Sequence, residues 1–470
     1  MSPSPESLAA ERERLAPAFA YVDRHADAFV ERLLRLVRIA SVSAHEQLLP
    51  ETADAVEAMA RAAGAETEQI PLDGGPPLVY GRAAGTGART LLLYNHYDVQ
   101  PADPLELWQS EPFAPEVRAG RIWGRGVSDN KGNLVARLCA LEAYRQTLGE
   151  LPLTVSLLFE GEEEVGSPHL QQLTDSPRGR EILRVDGCIW EGGYTDTSGR
   201  PILSLGCKGD VYVELRVRTA GVDLHSSWAA VVPNAAWRLT WALATLKDPE
   251  THACRIPGFY DRVIVPGHRA LELAEDSPLD AEEYRALFGI DGFMRGWDGA
   301  EARRHWLFDP TCTISGLTSG YQGPGSKTVL PAEASAKVDF RLVPDQEPAE
   351  IIRLLRRHLD EQGFSDVEVV EIEGEGERAA RTDPDAPIVG VVADVSRALT
   401  GKEPLILPTS AGTGPQHVLC GQFGVPAVGT GVGNQESNNH APNENIFVRD
   451  YLEGIKQMVW LFDRFGRSDG

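Results

Sequence analysis

The chain has 470 residues, with 45 Lys and Arg against 69 Asp and Glu, a formal net charge of −24. That balance argues against nucleic acid or an anionic membrane as a partner, since both need a basic face. The length is too great for one hydrophobic core, so two or more domains are expected, and 42% hydrophobic residues is ordinary for a globular enzyme.

The start, MSPSPESLAAERERLAP, lacks the basic region and apolar core of a secretory signal, so none is expected. Residues of about 5–40 read as helix, with Phe29, Leu33, Leu34 and Val37 making an apolar stripe. Strands and helices then alternate. Arg89–Tyr94, Leu153–Phe159 and Val185–Trp190 are short, continuous apolar runs, the pattern of parallel strands buried on both faces. Between the first two, Asn133–Leu148 places Leu134, Leu138 and Leu141 on one face of a helix.

The middle of the chain changes character. Val211–Val217 alternates apolar and polar residues, as a half-exposed strand does. A helix at Ala235–Leu246, a strand pattern at Thr328–Leu342, an amphipathic helix at Glu347–Gln362 and a strand at Asp366–Ile372 follow. The order βα…ββαβ predicts a small α+β, ferredoxin-like domain, interrupted by a Trp- and Arg-rich insertion at about 250–310. The charged segment Glu373–Asp385 reads as a linker. Ile388–Leu399 returns to helix, and Leu405–Pro408 and Val425–Thr430 return to buried strands. The expected fold is therefore an α/β domain with a mainly parallel sheet, residues 1–207 and 384–470, carrying an inserted α+β domain, residues 208–383. No run of about 18 apolar residues is present, so no membrane span is predicted. Six cysteines without a CxxC fit a reduced, cytoplasmic setting.

Four stretches carry chemistry. In LLLYNHYDVQP, His96 and Asp98 are two apart at a strand exit, so both point to one face. A carboxylate beside a histidine is the arrangement that orients an imidazole toward a metal, although HxD alone is a weak signal. In IWGRGVSDNKGN, Asp129 lies in a Gly-rich turn before a helix, where a helix N-cap is the bland alternative. LLFEGEEEVGSP crowds Glu160, Glu162, Glu163 and Glu164 where a buried strand surfaces; a solvated loop is the bland alternative there. NQESNNHAPNENI places His440 in a polar loop after the last buried strand. Taken jointly, these residues are the donor set that a pair of Zn²⁺ or Mn²⁺ ions uses.

In this order, NHYDVQP, GRGVSDNKG, FEGEEEVGS, DLHS, KTVLPAEASAKVDFRLVP and NHAPNE make the chain resemble, over essentially its whole length, the dinuclear zinc peptidases. That family includes carnosinase-type dipeptidases, carboxypeptidase G, succinyl-diaminopimelate desuccinylase and the aminoacylases. The resemblance implies two divalent ions, Zn first, with Mn or Co as alternatives. It implies that His96 and Glu191 hold the first ion, Glu164 and His440 the second, and that Asp129 bridges them. Asp98 would orient His96, and Glu163 would be the general base that activates a metal-bridging water. Glu191 departs from the Asp of the carnosinase and carboxypeptidase G branches and matches the deacylase branches. In the inserted domain, His225 resembles a lid histidine that reaches the partner subunit's site in a homodimer formed through that domain. Arg341 resembles the clamp for the substrate's free carboxylate, with Thr413 of AGTG at a serine position and Asn234 as a further substrate contact. The implied activity is hydrolysis of dipeptides or short peptides with a free C-terminal carboxylate; N-acyl-amino-acid deacylation with the same site is the alternative. A non-catalytic protein with a degenerate site is the opposing class, disfavoured because every ligand position holds a competent residue.

Overall fold

The computed structural model describes residues 4–276, 279–372 and 376–468. The chain divides into two compact units, one of Met1–Gly206, Arg381–Pro408 and Pro415–Gly470, the other of Cys207–Ala380 and Thr409–Gly414.

The first unit is built on a ten-stranded sheet. Its middle runs Gly75–Ala83, Thr154–Glu160, Thr90–His96, Gly187–Trp190, Ala427–Gly429 and Pro201–Ser204, and the four strands from Thr154–Glu160 to Ala427–Gly429 are mutually parallel. Thr154–Glu160 is buried at every position, and Thr90–His96 at all but its first. That is why these strands read as unbroken apolar runs rather than alternating ones. The helix Lys131–Leu148 packs on the strand Thr90–His96 and is itself covered by Pro5–Arg24, Ala26–Val37 and Val448–Arg467. All eleven residues from Lys131 to Leu141 are buried, so this helix is not the one-sided amphipathic element its leucine spacing suggests. The N-terminal region is two helices, Pro5–Arg24 and Ala26–Val37, meeting at His25.

Topology places the chemistry. His96 and Glu160 are the last residues of parallel neighbours, and Glu191 directly follows Gly187–Trp190. Side chains at such carboxyl ends converge on a crevice at the sheet edge.

The second unit holds a four-stranded antiparallel sheet in the order Thr311–Ser319, Glu333–Leu342, Gly209–Arg218, Glu368–Glu371. Gly209–Arg218 alternates buried and less buried residues, which matches its period-two pattern. The helices Ala235–Ala244 and Pro348–Glu361 pack on this sheet. The insertion forms three short helices, His268–Glu275, Ala281–Phe288 and Gly299–Phe308, two of which share a small core of Ala270, Ala274, Leu307 and Phe308.

The segment Thr409–Gly414, expected with the first unit, groups with the second. Lys208 N–H donates to Gly412 O at 2.8 Å, and Arg341 Nη1 donates to Thr413 Oγ1 at 2.5 Å, which ties it there. Of the predicted linker Glu373–Asp385, residues Glu373–Glu375 lie outside the described residues. All six cysteines are buried and free of disulfides, and among the described residues no helix is long and apolar enough to cross a membrane.

Candidate metal centre

The strand Thr90–His96 delivers a fully buried His96, and the next turn a fully buried Asp98. Asp98 Oδ1 lies 3.3 Å from His96 Nδ1, so Nε2 is the ring atom left to face the crevice. His96 Nε2 is 3.1 Å from Asp129 Oδ1, 3.8 Å from Glu163 Oε2 and 3.9 Å from Glu191 Oε2. The other oxygen of Asp129 lies 3.1 Å from His440 Nε2, which in turn is 3.1 Å from Glu164 Oε2. Asp129 thus stands between two imidazoles, one carboxylate oxygen toward each.

Asp129 is not the N-cap of the following helix; that position belongs to Asn130. Its loop is shaped by Glu444, a fully buried carboxylate. Glu444 accepts from Gly126 N at 2.8 Å, Ser128 N at 2.8 Å, Asp129 N at 3.0 Å and Arg125 Nη1 at 2.9 Å. Gly132 closes the turn, since a Cβ there would sit 2.0 Å from Val127 O. His440 takes a left-handed backbone, φ 61°, which few residues other than glycine adopt without support. Asn439 Nδ2 donates to Asp129 Oδ2 at 3.2 Å from the same loop.

The four glutamates separate into different environments. Glu163 and Glu164 begin a single helical turn, with backbone N–H groups held by Asp98 at 3.3 and 3.0 Å. Gln100 Nε2 donates to Glu164 Oε2 at 2.9 Å and fixes that carboxylate. Among the described residues the Glu163 carboxylate accepts no hydrogen bond. Glu160 is buried and accepts from Tyr94 Oη at 2.5 Å, and burial pushes its carboxyl up to about 8. Glu162 pairs with His169 Nδ1 at 2.9 Å. Neither of the last two is a freely solvated charge.

The electrostatics call for a cation. Burial, reinforced by the Glu191 charge, raises the Glu163 carboxyl well above its ordinary value. Burial lifts Glu191 to about 7, with Asp129 and Glu164 adding repulsion. Burial opposes a charged His96, yet Glu163, Asp129 and Asp98 raise it well above its usual range. Hydrogen bonds to Asp129 and Glu164 raise His440 to about 10. Repulsion among the carboxylates and their pull on both imidazoles mark a site whose negative charge a divalent cation would balance. Glu191 Oε2 is buried and has no hydrogen-bond partner among the described residues, which fits an atom able to bind a cation. Two sets of donors, His96–Glu163–Glu191 and His96–Asp129–Glu164, lie close enough to share an ion. Nitrogen and carboxylate donors suit Zn²⁺, Mn²⁺ or Co²⁺.

The remaining predicted residues belong to the second unit. His225 is exposed, with Nδ1 2.9 Å from Ser227 Oγ and Nε2 3.4 Å from Thr328 Oγ1. Asn234 caps the helix Ala235–Ala244 by accepting from Trp237 N at 3.2 Å, so its side chain has a structural duty that the sequence reading did not give it. Arg341 touches Thr413 as described and lies 3.4 Å from Asp339 Oδ2. Gln100, Glu444 and Asn439 were missed from sequence. Gln100 continues the period-two series His96, Asp98, Gln100, and Glu444 and Asn439 lie in the NNHAPNE stretch, so the signals were present.

Residues 92–463 match the family model described as peptidase family M20/M25/M40. A Cys-Gly metallodipeptidase of Schizosaccharomyces pombe is 31% identical over 364 residues, 73% of this chain and 74% of the relative. The human Beta-Ala-His dipeptidase is 28% identical over 378 residues, 77% of this chain and 73% of the relative. The crystal structure of an M20 family metallo-carboxypeptidase from Sulfolobus solfataricus superposes with a TM-score of 0.87 at 36% identity, covering 93% of this chain and 99% of that one. With the family match spanning most of its length, this chain belongs to peptidase family M20/M25/M40.

Proposed function

We propose that this metallopeptidase hydrolyses the amide bond of dipeptides or short peptides that carry a free C-terminal carboxylate. The observation that carries the reading is Asp129, placed between His96 and His440 with one carboxylate oxygen 3.1 Å from each. That arrangement suits a bridging ligand, with His96 and Glu191 holding one ion and Glu164 and His440 the other. Zn²⁺ is the first candidate, with Mn²⁺ or Co²⁺ as alternatives. Two such ions, when bound, supply Lewis acidity toward the amide carbonyl and acidify a water.

The chain's own residues do the rest. Asp98 orients His96 and holds the N–H groups of the Glu163–Glu164 turn. Glu163, whose carboxylate is committed to no donor, takes the proton from water and returns it to the leaving nitrogen. Arg341, helped by Thr413, suits a bidentate grip on the substrate carboxylate. His225 is proposed to steady the oxyanion in the site of a second copy, and the homodimer forms through the second unit. Asn234 stays a secondary substrate contact beside its capping duty. Six buried cysteines outside any disulfide fit a reducing compartment, so a cytoplasmic setting is proposed with the activity.

Glu191 favours one other reading, an N-acyl-amino-acid deacylase with the same site. The deciding experiment starts from metal-free protein, restores Zn²⁺, Mn²⁺ or Co²⁺, and assays dipeptides, including Cys-Gly and β-Ala-His, beside N-acyl amino acids. Faster turnover of dipeptides is expected, abolished by chelator and restored by metal. Faster turnover of N-acyl amino acids would replace the dipeptidase reading with the deacylase one. No turnover with any metal would remove both.

A further inference from the structure

Arg137 is a buried guanidinium in the helix Lys131–Leu148, with no carboxylate in a salt bridge among the described residues. Its partners are the ends of three parallel strands. Nη1 donates to Tyr94 O at 2.5 Å and Asn95 Oδ1 at 2.6 Å, with Ile189 O at 3.3 Å. Nη2 donates to Trp190 O at 2.7 Å and Glu191 O at 3.0 Å, with Thr430 O at 3.4 Å. Two further amides join it. Asn95 Nδ2 donates to Glu191 O at 2.9 Å and also to Asn130 Oδ1, and Asn130 Nδ2 donates to Glu191 O at 3.1 Å.

One carbonyl, that of Glu191, therefore gathers three donors, while the Glu191 side chain ends in an unpartnered buried oxygen. Backbone fixed and carboxylate uncommitted is the condition of a preorganised ligand. The same network reaches the neighbours of His96 and of the bridging Asp129. Asn95 precedes His96, and Asn130 follows Asp129. Nothing in it touches Glu164 or His440, which are held instead by Gln100 and by the loop that ends in Glu444.

We propose that Arg137 is a positioning residue for one half of the metal centre: it presets His96 and Glu191 for their ion and leaves the Glu164–His440 half unaffected. The inference rests on the two-ion reading of the site. It explains why the chain buries a cation under a cluster of carboxylates instead of an apolar residue that would pack as well. The strand-end carbonyls need donors, and a planar guanidinium reaches all three strands at once.

The test is a titration of metal-free protein with Co²⁺, followed by calorimetry and by the visible absorption of the bound ion, in wild type, Arg137→Lys, Asn95→Ala and Gln100→Ala. Thermal unfolding of each metal-free protein runs alongside. Wild type should bind two ions. Arg137→Lys and Asn95→Ala should weaken one binding step by about 10–100-fold and leave the other within about twofold, with a changed absorption band for the weakened ion. Gln100→Ala should weaken the opposite step. If Arg137→Lys does not fold, Asn95→Ala carries the test, because it removes the amide relay and leaves the buried cation in place. A merely structural arginine would lower thermal stability and leave both steps equal. Two ions in wild type with both steps weakened alike, or neither, would overturn the placement of Arg137. Fewer than two ions in wild type would overturn the reading of the site and this inference with it.

Discussion

Asp98 accepts the backbone N–H of Glu164 through Oδ2 at 3.0 Å while its Oδ1 faces His96 Nδ1 at 3.3 Å. One buried carboxylate thus couples the strand end that carries His96 to the turn that carries Glu163 and Glu164. Removing it leaves His96 Nδ1 with only the Asp98 backbone carbonyl, at 3.2 Å, and leaves two backbone donors, Glu163 N and Glu164 N, without their acceptor. Asp98→Ala should lower kcat/KM by about 10–100-fold at saturating metal, the usual effect of losing an orienting partner. Steady-state kinetics with added Zn²⁺ check this, and unimpaired activity would remove Asp98 from the site.

Glu163 is predicted to act on protons rather than to hold metal. Glu163→Ala should reduce kcat by at least about 10²-fold, the low end for a general base. Metal content measured by mass spectrometry should stay at two ions per chain. A variant that keeps turnover, or that loses its ions, contradicts the role.

Arg341 is predicted to read the substrate's carboxylate. A charge-assisted hydrogen bond contributes about 1.5–3 kcal/mol, so Arg341→Ala should cut kcat/KM for free dipeptides by about 10–100-fold. The same substrates with an amidated C-terminus should be turned over slowly by wild type and no more slowly by the variant. An equal loss on both substrates would mean that Arg341 serves the fold, through Asp339 and Thr413, rather than recognition.

Polar residues at the ends of apolar runs were legible in the sequence, because a run such as LLLYNH reads as a strand buried along its length whose carboxyl end carries the histidine. The four-strand parallel core was legible for the same reason. The pattern did not reveal polar groups buried by their neighbours. Arg137 and Lys131 look like solvent-facing positions of an amphipathic helix, yet Arg137 turns onto the strand ends and Lys131 Nζ donates to Leu36 O and Ile39 O at the end of the helix Ala26–Val37. Glu444 and Arg125 are 319 positions apart, and their pairing comes from the fold alone. The edge strand Thr311–Ser319 escaped notice because Thr313, Ile314 and Ser315 in succession are exposed, which erases the alternation. Asn234 was read for chemistry through the family resemblance, although the helix start expected at Ala235 already put an asparagine, a favoured capping residue, at the N-cap.

The second unit exposes large apolar residues that a lone chain has little reason to keep. Trp237 and Trp241, stacked at 5.9 Å between ring centroids, are 59% and 56% exposed, and Ile314 and Leu317 on the edge strand are 50% and 61% exposed. An open strand edge with such residues invites pairing, and a second copy is the proposed cover. Wild type should elute as a dimer in light-scattering chromatography, and Ile314→Lys with Leu317→Lys should shift it to the mass of one chain. Turnover should fall with it if His225 serves the partner's site. A monomeric wild type would end this prediction.

Lys208 supplies a pH signature that is independent of the metals. It is buried, donates through Nζ to Asp309 O at 2.7 Å, and burial lowers it from 10.5 to about 8, with Arg341 adding repulsion. Folded pKa below unfolded pKa means that between about pH 8 and 10.5 the unfolded chain binds more protons than the folded one. Stability must then rise with pH across that window, because the cost of burying the charge is fully present below pH 8 and vanishes once both states are neutral. The shift corresponds to about 3 kcal/mol, an upper figure for a group in this position. Denaturant unfolding of Lys208→Met at pH 7.5 and pH 10 isolates the effect from the tyrosines and thiols that titrate nearby. Relative to wild type, the variant should gain stability at pH 7.5 and lose most of that advantage at pH 10. An advantage that stays constant across the two pH values would mean that folding does not lower the Lys208 ammonium at all.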